Sequence, residues 1–334
     1  MYKVAFFDTK PYDRPWFDRV KERYGIEIKY LDNRLCRETA VLAEGCRAAV
    51  AFVNDQVDGE TVDALCNAGV GALALRCAGY NNVDLERAEG KLKVYRVPAY
   101  SPSSVAEHAM ALLLTLNRKT HKAYNRTREC NFSLKGLNGF NLKGKTIGVV
   151  GTGRVGEEFC DICFGFGMKV LAFDVKPLWG RQIEYVPFEE LCRRADIISL
   201  HCPLTPQTFH LIDRNSLRKM KDGVYIINTS RGALVDSEAL LEAIKYGKVG
   251  GAGLDVYEEE ADMFYEDVSD KVIRDDTLNM LLTQPNVLVT SHQAFLTEEA
   301  LAAIAETTLY NLRCFFEGKE SENELHLERE KATV

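Results

Sequence analysis

The chain has 334 residues, of which 46% are hydrophobic and 27% charged, a balance that is ordinary for a water-soluble protein of two domains. Its 42 basic and 49 acidic residues leave a net charge of −7, which argues against a protein whose main partner is a nucleic acid backbone. The longest apolar stretch is too short to cross a bilayer and the first residues have the pattern of a strand rather than a signal peptide, so we expect a cytoplasmic protein without a membrane partner.

Ten cysteines are scattered along the chain without a regular framework, which favours free thiols in a reducing compartment. One close pair, Cys160 and Cys163, has the spacing of a redox motif or of half a zinc site. No second pair follows at ligand spacing, so we interpret both as buried thiols on a helix and expect no metal site.

The first hundred residues alternate between short apolar runs and helix-like segments such as residues 59–68. The apolar runs have the composition of buried parallel strands and lie at residues 4–8, 48–53, 72–77 and 94–98. The series stops at Pro98-Ala99-Tyr100-Ser101-Pro102, which continues neither a helix nor a central strand. Ser103 or Ser104 can then cap a long helix over residues 105–128 that connects two domains.

A second alternating series begins at Thr146 and predicts a doubly wound sheet of six strands, at residues 147–150, 170–173, 197–200, 224–228, 253–256 and 287–290. A helix over residues 297–316 should cross back to the first domain. The predicted fold class is α/β, with two Rossmann-like or flavodoxin-like parallel-sheet domains and a cleft between them. The substrate domain is residues 1–100 plus 297–334, and the cofactor domain is residues 101–296. The charged tail after Gly318 is expected to fray.

The segment from Ile147 to Gly156 predicts a dinucleotide site, because it combines a strand, a glycine turn and the start of a helix. Gly151, Gly153 and Gly156 form the pattern G-x-G-x-x-G, which is weak alone and specific in this context. Gly151 permits the turn, Gly153 lets a pyrophosphate approach the backbone, and Gly156 lets helix and strand pack closely. The anion would meet unpaired N–H groups at the positive end of the helix.

An acid follows the next strand. Asp174 lies 18 residues after Gly156, close to the spacing of about 20 at which a carboxylate binds ribose hydroxyls. The same carboxylate would repel a 2′-phosphate, so we predict NAD as the cofactor rather than NADP. Lys176 is close enough to soften that preference.

Polar residues follow three later strands at their carboxyl ends, where ligands bind in open α/β sheets. Arg231 follows one strand, His292 follows another, and the acidic run Glu258-Glu259-Glu260 follows a third. A guanidinium can grip a carboxylate in bidentate fashion and polarise a ketone, and a histidine can protonate the alkoxide that forms. A carboxylate beside the histidine favours the imidazolium. This set suits hydride transfer from a nicotinamide to a 2-oxo acid, but spacing alone does not choose among the three glutamates.

These segments and several others resemble the D-isomer-specific 2-hydroxyacid dehydrogenases over essentially the whole chain. Besides the glycine turn, the matching segments are residues 98–102, 106–108, 201–205, 228–232, 253–258 and 291–295. Residues 263–276, followed by residues 292–297, resemble the bacterial fermentative D-lactate dehydrogenases in particular. The resemblance implies an NAD-dependent enzyme that interconverts pyruvate and D-lactate.

The resemblance also implies roles for individual residues. Arg231 orients the substrate, Glu260 is the partner of the histidine, and His292 is the acid and base. Backbone groups near Ala78 and Gly79 bind the substrate anion, and the implied side-chain contacts with the substrate are Phe52, Tyr100 and Phe295. Besides the three glycines and Asp174, the implied cofactor contacts are Arg154, Val155, Cys202, Pro203, Thr208, Thr229, Ser230 and Asp255. Thr208 stands where some relatives carry asparagine.

The other histidines and acids have simpler interpretations. His108 and His121 lie on the connecting helix and suit a capping or interface role, and His201 lines the cofactor cleft. We interpret His210 and His326 as surface residues and regard Glu258 and Glu259 as a solvated acidic loop.

Two alternatives stay open at the level of sequence. A member of the same family could act on a bulkier 2-oxo acid, or on glyoxylate, hydroxypyruvate or phosphoglycerate. A protein of a different class, an NAD-sensing corepressor, would keep the same three catalytic residues. The expected partners are a small 2-oxo or 2-hydroxy acid and further copies of the chain, because relatives form homodimers or homotetramers.

Overall fold

The computed structural model describes residues 1–177, 182–260 and 263–327. Within these residues the chain forms two compact units. One consists of Met1–Ser101 together with the chain from Leu296 onwards, and the other of Pro102–Phe295. Each contains a parallel sheet with helices packed on it, which confirms the predicted α/β class.

The first unit is built on a parallel sheet. In its described part the strands are β1 (Tyr2–Phe6), β2 (Ile26–Tyr30), β3 (Ala48–Ala51), β4 (Ala72–Leu75) and β5 (Lys93–Tyr95), with helices α1 (Arg14–Val20), α2 (Gly59–Asn67) and α3 (Leu85–Ala88) between them. The strand order is β2-β1-β3-β4-β5. Every residue of β3 and β4 is buried, as expected of central strands that are covered on both faces.

The second unit is built on a larger parallel sheet. Its described helices are α4 (Pro102–Arg118), α5 (Thr120–Arg128), α6 (Arg154–Gly165), α7 (Phe188–Arg194), α8 (Arg214–Lys219), α9 (Ser237–Lys245) and α10 (Asp276–Thr283). Its described strands are β6 (Thr146–Val150), β7 (Lys169–Phe173), β8 (Glu184–Tyr185), β9 (Ile197–Leu200), β10 (Val224–Asn228), β11 (Val249–Leu254) and β12 (Val287–Val289). The order β12-β11-β10-β9-β6-β7-β8 reverses direction between β9 and β6, which is where a ligand is expected in such a sheet.

Two apolar cores cover the two faces of this sheet. Alternate residues of one strand belong to different cores, as Ile197 and Ile198 do, because successive side chains point to opposite faces. Cys160 and Cys163 of α6 lie fully buried in the core that α4 and α6 form, and both are free thiols. Burial raises the pKa of the Cys163 thiol far above its ordinary value. The interpretation of this pair as buried helix thiols is confirmed.

The predicted connecting helix is wrong in one respect, because the chain breaks it into α4 and α5. Lys119 stands between them with a φ of +52°. The Asn117 side chain exchanges two hydrogen bonds with the backbone of Phe140, and Lys119 donates to the carbonyl oxygens of Gly136 and Asn138. The loop of residues 136–140 therefore fixes the position of the break. The helix also begins at Pro102, before either of the serines proposed as its cap.

The chain returns to the first unit through α11 (Glu298–Glu317), which the Thr297 hydroxyl caps at 3.3 Å. The prediction that the segment after Gly318 frays is wrong for the described residues up to 327. Ser321 and Asn323 are buried and hydrogen-bonded to Asn311, and the N–H of Leu325 donates to the carbonyl oxygen of Val94 at 2.8 Å. Residues 328–334 lie outside the described chain. No described helix has the length and apolarity that crossing a membrane requires.

Candidate active site

The glycine turn joins β6 to α6, next to the reversal of strand order. Gly151 has a φ of +90°, and a Cβ there would lie 2.6 Å from the carbonyl oxygen of His201. A Cβ on Gly156 would lie 2.0 Å from the carbonyl oxygen of Gly151, whereas one on Gly153 would meet no described heavy atom within 4 Å. Packing thus requires glycine at positions 151 and 156, whereas the space beside Gly153 is open to a ligand.

The first turn of α6 offers unpaired backbone donors. Gly153 occupies the N-cap position, and no side chain in the described ranges caps the helix. Gly153 and Arg154 are exposed, and Val155 is half-buried. Unpaired N–H groups and the positive helix end together form an anion site, which fits the pyrophosphate of a dinucleotide.

Asp174 follows β7 and is fixed beside this turn. Its Oδ2 accepts a hydrogen bond from the backbone N–H of Thr152 at 2.5 Å, and its Oδ1 accepts one from the backbone N–H of Lys176 at 2.7 Å. Tyr185 donates to the Thr152 hydroxyl at 3.0 Å. The carboxylate is therefore oriented before any ligand binds, as a ribose-binding acid requires.

The residues that follow β9 and β10 meet at a shared edge. The Ser230 hydroxyl donates to the carbonyl oxygen of Cys202 at 2.7 Å. The Thr229 Oγ1 is buried without a hydrogen-bond partner in the described chain, so it is a group that a bound cofactor can satisfy. Thr208 instead donates to the carbonyl oxygen of Pro203 at 2.7 Å and accepts from the N–H of Thr205 at 2.8 Å, so its hydroxyl holds its own loop.

His292 and Glu260 form a hydrogen-bonded pair. The Nδ1 atom of His292 lies 2.8 Å from Oε1 of Glu260, and the Glu260 Oε2 accepts from the backbone N–H of Tyr257 at 2.9 Å. The exposed fractions of the two side chains are 20% and 23%. An ionised carboxylate accepts a hydrogen bond from the Nδ1–H group, which leaves Nε2 as the ring nitrogen that can exchange a proton with a ligand.

Asp255 holds the turn that carries His292. It is fully buried, and it accepts hydrogen bonds from the Thr290 hydroxyl at 2.5 Å and from the N–H groups of Gln293 and Ala294 at 2.9 and 2.8 Å. Its carbonyl oxygen accepts from the N–H of His292 at 2.7 Å. Burial alone would raise the pKa of Asp255, but hydrogen bonds from His108 and Thr290 outweigh it and hold the pKa below its ordinary value.

His108 of α4 belongs to this network. Its Nε2 lies 3.3 Å from the Asp255 carboxylate and 3.2 Å from the Thr290 hydroxyl. The sequence offered only a capping or interface role for His108, since nothing in the local pattern links it to residues so distant in the chain. His201 is packed in the interior, where its ring lies 4.7 Å from that of Phe159 and burial lowers its pKa to about 3.

Arg231 lies between β10 and a short 3-10 turn, Gly232–Leu234. Arg231 is half-buried, and its Nη1 donates to the carbonyl oxygen of Ser230 at 2.8 Å. Over the ranges that the structure describes, Arg231 forms no ion pair, and in particular none with Asp255. Its other donors are therefore available to a carboxylate ligand.

Tyr265 is a neighbour of the pair that the residue pattern did not single out. Its hydroxyl donates to the carbonyl oxygen of His292 at 3.1 Å, and the two rings lie 5.9 Å apart. It belongs to residues 263–276, so the resemblance of that segment was the only signal for it. The contact helps to fix the backbone of His292, whose φ is +53°.

Phe52, a proposed substrate residue of the first unit, lies beside Arg76. The Arg76 guanidinium carbon lies 3.9 Å from the centre of the buried Phe52 ring, and the Asp55 carboxylate accepts from the Phe52 N–H at 2.6 Å. Burial raises the pKa of Asp55 to about 6. Phe52 is thus held by its ring and by its backbone.

The other substrate candidates differ in exposure. Ala78, Gly79 and Tyr100 are half-buried, and the Cys77 thiol donates to the carbonyl oxygen of Gly79 at 3.3 Å. Phe295 is buried in the second unit. The described residues contain no cluster of histidine, cysteine and acidic side chains that could hold a metal ion.

The family model of the D-isomer-specific 2-hydroxyacid dehydrogenase NAD-binding domain matches residues 110–294. The chain is 50% identical over 327 residues to a D-lactate dehydrogenase of Escherichia coli, and the match covers 97% of this chain and 99% of that one.

Solved structures agree with these matches. The apo-structure of D-lactate dehydrogenase from Escherichia coli superposes with a TM-score of 0.89 at 48% identity, covering 97% of this chain and all of the other. A structure described as the pyruvate reductase of Chlamydomonas reinhardtii superposes with a TM-score of 0.92 at 42% identity, covering 97% of this chain and 98% of that one.

Proposed function

Because the chain belongs to the D-isomer-specific 2-hydroxyacid dehydrogenases and contains their NAD-binding domain, we propose that it is a D-lactate dehydrogenase that interconverts pyruvate and D-lactate. The observation that carries the proposal is the pair of His292 and Glu260, whose hydrogen bond at Nδ1 leaves Nε2 free for proton exchange. The name of the half-identical bacterial relative supports pyruvate as the substrate.

Arg231 is the residue that orients the substrate. Its planar fork of donors suits bidentate binding of the pyruvate carboxylate, and its positive charge polarises the adjacent ketone. The absence of an ion pair within the described residues means that no internal carboxylate has to be displaced before a ligand binds.

His292 moves the proton. When NADH is bound, its nicotinamide would supply the hydride that the carbonyl carbon of pyruvate accepts. The proton on Nε2 of His292 passes to the carbonyl oxygen at the same stage, and the resulting alcohol is D-lactate. Glu260 stabilises the imidazolium that precedes this transfer and holds the ring in position. In the oxidative direction the neutral Nε2 accepts the hydroxyl proton instead.

The remaining residues bind substrate and cofactor. The resemblance of the sequence to the family supports substrate contacts from Ala78, Gly79, Tyr100, Phe52 and Phe295. The glycine turn with Arg154 and Val155 binds the pyrophosphate and Asp174 the ribose hydroxyls. Further cofactor contacts come from Cys202, Pro203, Thr229 and Ser230, while the bonds that Thr208 makes within its own loop support a lesser role for it. Asp255 contributes to the cofactor site indirectly, because its carboxylate holds the turn that contains Gln293 and Ala294.

The protein acts as a homodimer or homotetramer in the cytoplasm. Support for assembly comes from α5, which buries none of its residues, and from the exposed fractions of Tyr124, Phe132 and Leu134, which are 60%, 75% and 79%. Light scattering should give the mass of two or four chains, and the double variant Phe132→Ser and Leu134→Ser should shift it downward. A monomeric wild type would exclude the assembly.

The test of the activity is NADH oxidation with pyruvate, glyoxylate, hydroxypyruvate and phenylpyruvate, with the chirality of the product determined. We expect fastest turnover of pyruvate and formation of D-lactate. Preference for phenylpyruvate would keep the mechanism and change the substrate. Tight NADH binding without turnover of any of the four would favour an NAD-sensing protein.

A further inference from the structure

A second histidine–glutamate pair lies in the same unit as the first. The Nε2 atom of His210 lies 2.5 Å from Oε1 of Glu258, and the exposed fractions of the two side chains are 30% and 25%. The exposed ring of Phe209 stacks on His210 with 4.0 Å between ring centres. His210 is therefore not a free surface residue, and Glu258 is not part of a solvated acidic loop, as their sequence positions had suggested.

The backbone of His210 is fixed to the turn that carries Arg231. The N–H of His210 donates to the carbonyl oxygen of Ala233 at 2.8 Å, and the N–H of Ile212 donates to that of Leu234 at 2.9 Å. His210 has a φ of +50°, a conformation that few non-glycine residues adopt without support from their surroundings. One end of the pair is thus attached to residues 232–234, immediately after Arg231.

The other end of the pair is attached to the loop that carries Glu260. Glu258 lies between Tyr257, whose N–H donates to the Glu260 carboxylate at 2.9 Å, and Glu260 itself. The second carboxylate oxygen of Glu258 accepts from the N–H of Ser237 at 3.4 Å, a long hydrogen bond. Movement of Glu258 would therefore displace the peptide that orients Glu260.

The turn and the loop also touch directly. A Cβ on Gly232 would lie 1.9 Å from the carbonyl oxygen of Tyr257 and 2.5 Å from the backbone nitrogen of Glu258. This contact sets how closely the two segments approach, but it does not stop one from sliding along the other. A charge-assisted hydrogen bond between His210 and Glu258 is directional, so it opposes this sliding.

We propose that His210 and Glu258 are positioning residues that hold the Arg231 turn and the Glu260 loop in one fixed arrangement. The proposal rests on the proposed function, because it assigns substrate orientation to Arg231 and proton transfer to His292 with Glu260. In this proposal neither His210 nor Glu258 contacts the substrate. Their effect is to keep the group that grips the carboxylate at the distance from the proton donor that the reaction needs.

The test compares Glu258→Gln, His210→Gln and the double variant with the control Glu259→Gln. Glu259 has an exposed side chain in the same loop, so the control makes the same chemical change outside the pair. We expect each pair variant to lower kcat/KM for pyruvate by about 10- to 100-fold, since misplacing a positioned group by about 1 Å costs on the order of 10²-fold. Both a higher KM and a lower kcat should contribute, while the Kd for NADH stays unchanged.

The double variant separates a coupled pair from two independent residues. If the two side chains act through one bond, the loss in the double variant should equal the loss in either single variant rather than their product. Binding of oxamate to the NADH complex should weaken in the same proportion as KM rises, and this titration needs no turnover.

Three outcomes would overturn the proposal. They are pair variants with the kinetic constants of Glu259→Gln, losses that multiply in the double variant, and a lower melting temperature with unchanged KM and kcat. The wild type is assayed in parallel with all four 2-oxo acids. A wild type inactive on pyruvate would contradict the proposed function, and oxamate binding would still decide whether the pair positions Arg231.

Discussion

The hydrogen bond between Nδ1 of His292 and Glu260 decides which nitrogen of the ring can act on a substrate. We expect His292→Gln to lower kcat for pyruvate reduction by about 10²- to 10⁴-fold, the usual contribution of a general acid. The Kd for NADH should not change, because the glycine turn and Asp174 are intact. Stopped-flow absorbance and a fluorescence titration of NADH measure the two quantities. A variant with the kcat of the wild type would remove His292 from the mechanism.

His201 should make the second unit sensitive to acid. Burial lowers its pKa to about 3, so below the unfolded value of about 6.5 the unfolded chain binds a proton that the folded chain does not. Its contribution to the unfolding free energy is therefore complete above pH 6.5 and is lost as the pH falls toward 3. We expect the wild type to lose about 1–2 kcal/mol more than His201→Gln between pH 7 and pH 5, on the slope of about 1.4 kcal/mol per pH unit for one proton. Urea unfolding at the two pH values measures this difference, and equal losses would contradict it.

The sequence could place the chemistry of the site but not all of its contacts. Arg231, His292 and the glycines stand at strand ends, so the strand pattern alone located them. The choice among three adjacent glutamates depends on how residues 257–260 turn, which tertiary contacts determine: Glu260 meets His292, Glu258 meets His210 and Glu259 faces solvent. The assignment of functions to these residues stays a prediction until variants are assayed.

At the level of elements, the strand–turn–helix of β6 and α6 distinguishes packing glycines from ligand-binding ones. We expect Gly156→Ala to lower the unfolding free energy by roughly 1–3 kcal/mol, because its Cβ would overlap the carbonyl oxygen of Gly151. Gly153→Ala should fold with stability within about 0.5 kcal/mol of the wild type, yet bind NADH at least about tenfold more weakly, since the methyl group would occupy the approach of the pyrophosphate.

Thermal unfolding and NADH titration of both glycine variants test this distinction. Gly153→Ala serves as the matched control for Gly156→Ala, because the two add the same methyl group to the same turn. Normal NADH affinity in Gly153→Ala would argue against a pyrophosphate at that position.

The strands that the sequence did not predict are both edges of sheets. β2 and β8 lie at the ends of their sheets, and the burial of β2 alternates between its residues. Continuous apolar runs identify strands that are buried on both faces, whereas half-exposed edge strands lack such runs. The break between α4 and α5 was missed for a different reason, since a distant loop imposes it on a sequence that is locally helical.

For the molecule as a whole, the division into two units predicts where a cofactor should act. If NADH binds only to the second unit, amide hydrogen exchange should slow in β6, β7, β9 and α6 and stay unchanged in β1 to β5. The stabilisation should approach about 2.7 kcal/mol at an NADH concentration of 100 times Kd. Mass-spectrometric exchange with and without NADH measures both effects, and protection confined to the first unit would reverse the assignment of the two units.

The hydrogen bond from Leu325 to Val94 of β5 has a consequence for the order of folding on the ribosome. The first unit combines the beginning of the chain with its last described residues, so the whole second unit must be synthesised before the first can be completed. At about 5–20 residues per second, strands β1 to β5 wait on the order of ten seconds or more for α11 and the segment after it. Throughout that interval the apolar strands of the first unit lack α11, and such uncovered strands are the kind of surface that chaperones bind.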